Sequence, residues 1–477
     1  MTHNHFIAFH SISLAIVLFT TGVFSTSLAQ NRISDKTPAS ISEASVLNIK
    51  SVAEQTYGHY EALYEKLHKN PELSGMERET SDALASDLQS IKEIYAKTGS
   101  NKTGNNKNLQ IETTRGVGGG YGIVTIIKNG SGPVILLRAD MDALPIKEET
   151  GLPFESTKRV DAKGNRLQDG SDAGTPVMHA CGHDVHMTVL LGVLNNLIAN
   201  SAAWHGTIVA VFQPSEERNG GSSQMISDGL FTRFPKPSYA LCFHTFPDLP
   251  AGKVGYIYGP SMAGVRNYTI TIYGEGTHGG YPHRGKDPIP AACAAVLDYQ
   301  TIVSRTIPAT KSAVLTVGAF NAGSRPNIVP DSVVLQATTR FFDNATDSTF
   351  LKRIHEITFG AAESLGMPEN KMPKIVTGNP APPVINDAKL VGIVKEGMSR
   401  TIGANNLVEI DKVMGAEDFA RYLQIVPGAL FRLGVSPADK PTGELHTSKM
   451  KPEFRKTWMT GVEAMTGGVI YLMGALH

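Results

Sequence analysis

The chain runs to 477 residues, beyond the size that one hydrophobic core usually serves, so two or more domains are expected. Basic and acidic residues number 44 each, and the zero formal charge argues against nucleic acid or an anionic membrane surface as the main partner. A hydrophobic content of 41% is enough for proper cores, and the three cysteines (Cys181, Cys242, Cys293) leave at least one unpaired within a monomer.

The chain opens on an apolar stretch from Ile12 to Phe24, followed by Ser27-Leu28-Ala29, a small-x-small pattern. Residues 1–29 read as a secretory signal peptide, which implies export to a periplasm or the cell exterior with no membrane attachment after its removal. Residues 1–12 hold histidines but no Lys or Arg, so an uncleaved anchor is the alternative.

From Glu43 the pattern is helical. Tyr57 to Leu67 carries apolar and aromatic residues at helical spacing, closed by Leu67-His-Lys-Asn-Pro71-Glu72-Leu73-Ser74, and Glu77 to Ile91 forms a second helix. Residues 97–108 are polar and turn-rich and read as a surface insertion. Tyr121 to Lys128 and Pro133 to Leu137 read as a hairpin-like pair around Asn129-Gly130-Ser131-Gly132. A second insertion, 157–174, is glycine-rich and of mixed charge.

Three apolar runs then deliver chemistry at their C-terminal ends. Val134 to Leu137 leads into Arg138-Ala-Asp140-Met-Asp142, Thr207 to Phe212 into Gln213-Pro-Ser-Glu216-Glu217, and Tyr239 to Phe243 into His244. Between the first two, His179-Ala-Cys181-Gly-His183-Asp184-Val-His186 opens a helix. Ligands of open α/β sheets bind outside the carboxyl ends of the strands, so the pattern points to a metal-dependent active site.

Near Gly259 the rhythm changes. Strand Tyr268–Tyr273, helix Pro288–Ser304, strands from Ser312 and from Ser332 to Phe341, helix Phe350–Leu365 and a last strand near Lys374–Thr377 describe a small α+β sandwich. From about Ala381 helix and strand resume, ending in a helix from Pro452 to Leu476. The expected organisation is a catalytic α/β domain in two parts, 43–258 and 379–477, with a smaller domain inserted at 259–378.

The candidate metal ligands are Cys181, His183, Glu217, His244 and His446, a set of thiolate, imidazole and carboxylate that suits zinc, with manganese also possible. Glu216, next to a ligand but free, has what a general base requires. Asp142 and Asp184 can fix imidazole tautomers. Each piece alone is weak, since single Cys and His residues more often pack in cores. The weight comes from five such groups falling at strand or helix ends. His179 and His186 read as supporting or packing residues, and Cys242 and Cys293 as packing. A Cys181–Cys242 disulfide, an option in an exported protein, would abolish the metal site, whereas metal coordination would protect Cys181.

Arg138-Ala-Asp-Met-Asp-Ala-Leu-Pro145, Met178-His-Ala-Cys-Gly-His-Asp-Val-His186 and Gln213-Pro-Ser-Glu-Glu217 resemble the signatures of a metallo-amidohydrolase family that contains aminoacylases, carboxypeptidase G and related dipeptidases. The branch most resembled is that of hippurate hydrolase and the plant auxin–amino acid conjugate hydrolases. The similarity runs from about Tyr60 to the C-terminus and includes Leu67-His-x-x-Pro71-Glu-Leu-Ser74, Thr277-His-Gly-Gly-Tyr-Pro-His283, Asn327-Ile-Val-Pro-Asp331 and Gly415-Ala-Glu-Asp-Phe419.

The resemblance implies a zinc-peptidase-like catalytic domain with an inserted ferredoxin-like lid and dimerisation domain. It implies two divalent ions, Zn²⁺ or Mn²⁺, held by Cys181, His183, Glu217, His244 and His446. It makes Glu216 the proton shuttle and Asp142 the aspartate that orients a ligand. Asp140 stands where other branches carry a ligating histidine, and its role is open. His278 matches a histidine that stabilises the tetrahedral oxyanion, and Asn327 a substrate-contacting asparagine; without the resemblance His278 reads as a cap of its Gly-rich turn. The implied partners are a small N-acyl amino acid and a second copy of the chain in a homodimer.

Two departures bear on specificity. Arg218 follows Glu217 where close relatives tend to have glycine, and is either a cation near the metal centre or a surface charge. The insertion 157–174 borders the active-site helix. The implied activity is hydrolysis of N-acyl amino acids. Its rivals are a carboxypeptidase or dipeptidase of the same fold and an exported metal- or solute-binding protein. No G-x-S-x-G elbow supports a serine hydrolase.

Overall fold

Strands that are apolar on both faces need cover on both sides, and the runs that bracket the metal-capable residues find it in one eight-stranded sheet. The computed structural model describes residues 41–98, 109–167, 173–378, 380–438 and 442–476. The expected signal peptide at 1–29 lies outside the described residues, as do most of the first insertion and the centre of the second.

Helices α1 (Glu43–Lys69) and α2 (Arg78–Thr98) precede strands β1 (Gln110–Val117), β2 (Gly122–Asn129) and β3 (Val134–Asp140). Then come α3 (His183–Ala199), β4 (Gly206–Gln213), β5 (Tyr239–Pro250) and β6 (Val254–Tyr256). A second set, β7 (Gly264–Tyr273), α4 (Pro288–Thr301), β8 (Val314–Ala322), β9 (Ser332–Phe341), α5 (Asn344–Ser364) and β10 (Lys374–Thr377), precedes α6 (Ala388–Ile402), β11 (Leu407–Glu409), β12 (Gly428–Ser436) and α7 (Phe454–Ala475).

The large sheet has the order β1-β2-β4-β3-β5-β12-β6-β11. Its central strands β4, β3, β5 and β12 are mutually parallel, so their C-terminal ends lie at one edge. Every residue of β4 is buried. Ile208, Ala210 and Phe212 face a core built with α1, α3 and α7, while Val209 and Val211 face a smaller one with Phe419 and Tyr422.

That corrects the expected hairpin. β2 and β3 are not paired; β4 lies between them, antiparallel to β2 and parallel to β3. The other neighbour of β2 is β1, an edge strand whose mostly exposed, polar residues carry no apolar run to mark it.

The inserted region forms its own antiparallel sheet, β8-β9-β7-β10, with α4 and α5 packed on one face. Chain order β-α-β-β-α-β with this strand order is the ferredoxin-like arrangement. Packing of α4 uses Ala291, Ala292, Ala295 and Tyr299, and Cys293, off that stripe, is exposed. The expectation that Cys293 packs is therefore wrong: an Ala-rich helix buries only the stripe that faces the sheet. Among the described residues, no helix is long and apolar enough to cross a membrane.

Candidate metal centre

The parallel strands bring Asp140 and His244 to one edge, and α3 starts there with His183. Gly182 makes the entry, at φ 78°, and a Cβ there would stand 2.8 Å from Thr245. After β4 the chain turns at Ser215 with φ 55°, and His446 reaches back over Cys181 at φ 62°. Ser215, Asn219 and His446 are the non-glycine residues with positive φ among those described, and all belong to this edge. Such strain persists where the surroundings over-determine it. Here the His446 N–H donates to Ala180 O at 2.9 Å, and the Ser215 N–H to Glu77 Oε1 at 2.8 Å.

The five predicted ligands come together. Cys181 Sγ lies 3.6 Å from His244 Nε2 and 3.3 Å from His446 Nε2. Glu217 Oε1 lies 3.4 Å from His446 Nε2 and 3.8 Å from His183 Nε2. Glu216 falls within the same cluster, its Oε1 3.4 Å from the Asp418 N–H. Cys181, Glu216, Glu217, His244 and His446 line a cleft of about 550 Å³ together with Met262 of the smaller core and Val265, Asn267 and Arg340 of the inserted sheet.

The donor set fits a divalent cation. Nε2 of His183 and Oε1 of Glu217 are buried without a hydrogen-bond partner, a cost that a bound cation removes, while His183 Nδ1 faces Asp142. His244 donates Nδ1–H to Thr245 O at 2.8 Å, which leaves the Nε2 lone pair turned to Cys181. Burial, then His186 and Arg432, holds the His244 pKa well below its ordinary value, so the ring is neutral and able to ligate. Burial, then Glu217 and Glu216, pushes the Cys181 thiol well up, and a nearby dication reverses this by favouring the thiolate. His183 is pulled down by burial, but Asp140 and Asp142 outweigh that and raise it to about 10.

Asp142 ties this edge together. It accepts from Ser74 Oγ at 2.6 Å, from the Glu216 N–H at 3.1 Å and from the Glu217 N–H at 3.0 Å, and its Oδ1 stands 3.3 Å from His183 Nδ1. Asparagine keeps one acceptor and turns an NH₂ toward donors. We expect Asp142→Asn to weaken metal binding by about 10–100-fold, read by elemental analysis after dialysis against buffered chelator. Unchanged affinity would remove Asp142 from its orienting role.

Asp140 and His186 do something the sequence left open. His186 places Nδ1 2.5 Å from Asp140 Oδ1, and its Nε2 accepts the Thr245 N–H at 2.8 Å. With both nitrogens engaged, His186 supports the strand ends and is not free to ligate. Arg138 donates to Asp140 at 2.6 Å, to Glu417 at 2.9 Å and to Asp418 at 3.0 Å. Glu417 and Asp418, in the motif Gly415–Phe419, crowd Glu216; burial first, then these two carboxylates, pushes the Glu216 pKa well up. The sequence signal for this network is the motif Gly415–Phe419 itself.

Beneath the centre lies a second network. Asp184, one of the expected tautomer-fixing carboxylates, instead meets His68: its Oδ2 is 2.6 Å from His68 Nδ1, while Glu148 Oε1 is 2.9 Å from Nε2. Burial lowers the His68 pKa, but hydrogen bonds to Asp184 and Glu148 outweigh it and raise it to about 10 from 6.5. A folded pKa above the unfolded one gives stability that is complete below about pH 6.5 and lost as pH rises through about 10. His68→Gln leaves two buried carboxylates uncompensated, an expected loss of about 3–5 kcal/mol. Melting curves should show wild type falling toward the variant between those pH values; a constant gap would contradict an imidazolium there.

The remaining predicted residues lie elsewhere. His278 ends a two-residue exposed strand whose antiparallel partner is Ile328–Val329, Asn327 lies in the exposed turn just before that partner, and the Gly279 N–H donates to Asn327 O at 2.8 Å. His278 Nδ1 accepts the Gly280 N–H at 3.0 Å, the turn-capping contact, and neither residue lines the cleft. Arg218 is exposed, Cys242 is buried in the smaller core, and all three cysteines are free. His179 is buried, and burial first holds its pKa down to about 4.

Comparison with known proteins agrees with this geometry. Residues 136–467 match the family described as Peptidase family M20/M25/M40. The chain is 33% identical to N-acetyl-L-cysteine deacetylase of Bacillus subtilis over 82% of its own length and 83% of that protein's. It is 34% identical to hippurate hydrolase of Campylobacter jejuni, over 77% of this chain and 86% of that one. A crystal structure from Bacillus subtilis, described as a dinuclear metal binding peptidase from the M20 family, superposes with a TM-score of 0.68 at 25% identity, covering 88% of this chain and 99% of the other. The chain belongs to peptidase family M20/M25/M40.

Proposed function

We propose that the protein is a metal-dependent amidohydrolase that cleaves the amide bond of N-acyl amino acids, releasing a carboxylic acid and an amino acid. The observation that carries this is a free carboxylate, Glu216, set among five convergent donors at the floor of an open cleft. Its similarity to an N-acetyl-L-cysteine deacetylase and a hippurate hydrolase supports the substrate class.

Cys181, His183, Glu217, His244 and His446 would hold two divalent ions, zinc or manganese. When bound, these supply Lewis-acid polarisation of the scissile carbonyl and lower the pKa of water. Glu216 takes a proton from the attacking water as oxygen adds to the carbonyl carbon. As the C–N bond breaks, Glu216 returns that proton to the leaving nitrogen. Burial and the neighbouring carboxylates raise the Glu216 pKa, which favours the protonated form that donates to the leaving nitrogen. Asp142 holds the backbone of Glu216 and Glu217, so base and ligand keep their separation.

Residues 259–378 act in this proposal as a lid and dimerisation domain, with His278 and Asn327 reaching substrate on closure or from a second copy. The free edge of β8, where Phe320 is exposed, supports homodimerisation. Sedimentation at assay concentration should give a dimer, and a monomer would overturn it. Export rests on the apolar run and Ser27-Leu28-Ala29; N-terminal sequencing of the mature protein should begin near residue 30. The substrate test is amino acid release from N-acetyl, N-benzoyl and longer N-acyl amino acids beside unblocked dipeptides. Turnover confined to the dipeptides would make the enzyme a dipeptidase.

A further inference from the structure

A buried charge needs a partner, and among the described residues the Arg432 guanidinium is bonded to none, although Glu417 acts on it through space. It lies on β12 in register with His244 on β5, on the same face of the sheet, and is only 3% exposed. Among the described residues its guanidinium makes no ion pair or hydrogen bond, and its Nη2 is buried and unpartnered. Its guanidinium carbon stands 5.4 Å from the centre of the Phe246 ring, which supports the group from one side. Both side chains line the cleft that holds Cys181, Glu216, Glu217 and His446.

Burying an unpaired cation costs several kcal/mol, and a neutral side chain would fill the same space without that cost. Burial lowers its pKa only to about 10, so it is cationic at neutral pH. The position is informative as well. Neighbouring strands stand about 4.8 Å apart, so Arg432 sits one strand to the side of a metal-capable imidazole. In an N-acyl amino acid the carboxylate is offset in the same way from the scissile carbonyl, two atoms beyond the amide nitrogen. Arg340, which lines the same cleft from the inserted sheet, already donates to Met414 O at 3.3 Å and is less buried.

We propose that Arg432 receives the carboxylate of the amino acid half and sets a preference for N-acyl amino acids over their neutral analogues. This rests on the amide hydrolysis proposed above. Arginine is suited to the role because its planar fork can hold a carboxylate with two parallel hydrogen bonds.

The test compares the best N-acyl amino acid of the panel with its carboxamide, in wild type, Arg432→Met and Arg432→Lys, with metal content and melting temperature measured for each. Wild type should prefer the free acid by about 100-fold in kcat/KM. Arg432→Met should lose that preference through a raised KM for the acid, keep its turnover of the carboxamide within a few-fold, and keep its metal. Arg432→Lys should restore part of the preference, and stands in if the Met variant does not fold. Equal losses on both substrates would make Arg432 structural and overturn the proposal. So would a preference that survives in Arg432→Met and disappears in Arg340→Met. If wild type cleaves neither compound, the amidohydrolase reading fails. Calorimetric binding of the two compounds to metal-loaded wild type and Arg432→Met then decides the Arg432 role separately.

Discussion

Glu216→Gln should keep its full complement of metal and lose about 10²–10⁴-fold in turnover, the usual contribution of a positioned general acid–base. The substitution is near-isosteric, so the 3.4 Å approach of the Asp418 N–H to Oε1 can persist. What disappears is the ability to take a proton from water and pass it to the leaving nitrogen. Glu216 also sits beside Glu417, Asp418 and Glu217, so a neutral amide in that crowd should leave the metal-free fold as stable as before, or more so. A low rate accompanied by lost metal would instead mean that Glu216 is a ligand. Normal turnover would remove it from the chemistry.

The second large effect is expected at His446. Its Nε2 lies 3.3 Å from Cys181 Sγ and 3.4 Å from Glu217 Oε1, where it closes the donor cluster from above. Its side chain is 53% exposed, so His446→Ala takes little from the core and should shift the stability of the metal-free protein by about 1 kcal/mol or less. Metal affinity should fall by more than about 100-fold, beyond what loss of a supporting residue causes. Activity should fall with it and return in part at high metal concentration. Elemental analysis beside a rate titration with zinc or manganese reads both. Unchanged metal content would exclude His446 as a ligand.

The strand-end placement of Asp140, Glu216, Glu217 and His244 was legible in the sequence because each follows an unbroken apolar run, and a parallel sheet collects the ends of such runs at one edge. Strand order was less legible. Periodicity locates β2 and β3 but carries no information on what inserts between them, and β4 arrives from far downstream. The charged networks were the hardest to read. Arg138 meets Glu417 across 279 positions, and His68 meets Asp184 across 116. Each of these residues is ordinary in its local window. Arg432 gave no signal either, since a lone arginine in a strand reads as a surface residue until the cleft beside it is known. His278 shows the opposite limit: its resemblance-based role needs an approach to the cleft that its position in an exposed, self-capped turn does not provide within this chain.

Metal dependence of amide hydrolysis is the claim on which the rest depends, and one experiment addresses it directly. The mature protein is stripped with chelator, then titrated with zinc or manganese while amino acid release from its best N-acyl amino acid is followed. Stripped protein should be inactive, and activity should rise with added metal and level off near two equivalents per chain. Release that is undiminished in the stripped protein, or absent with two ions bound, would contradict it.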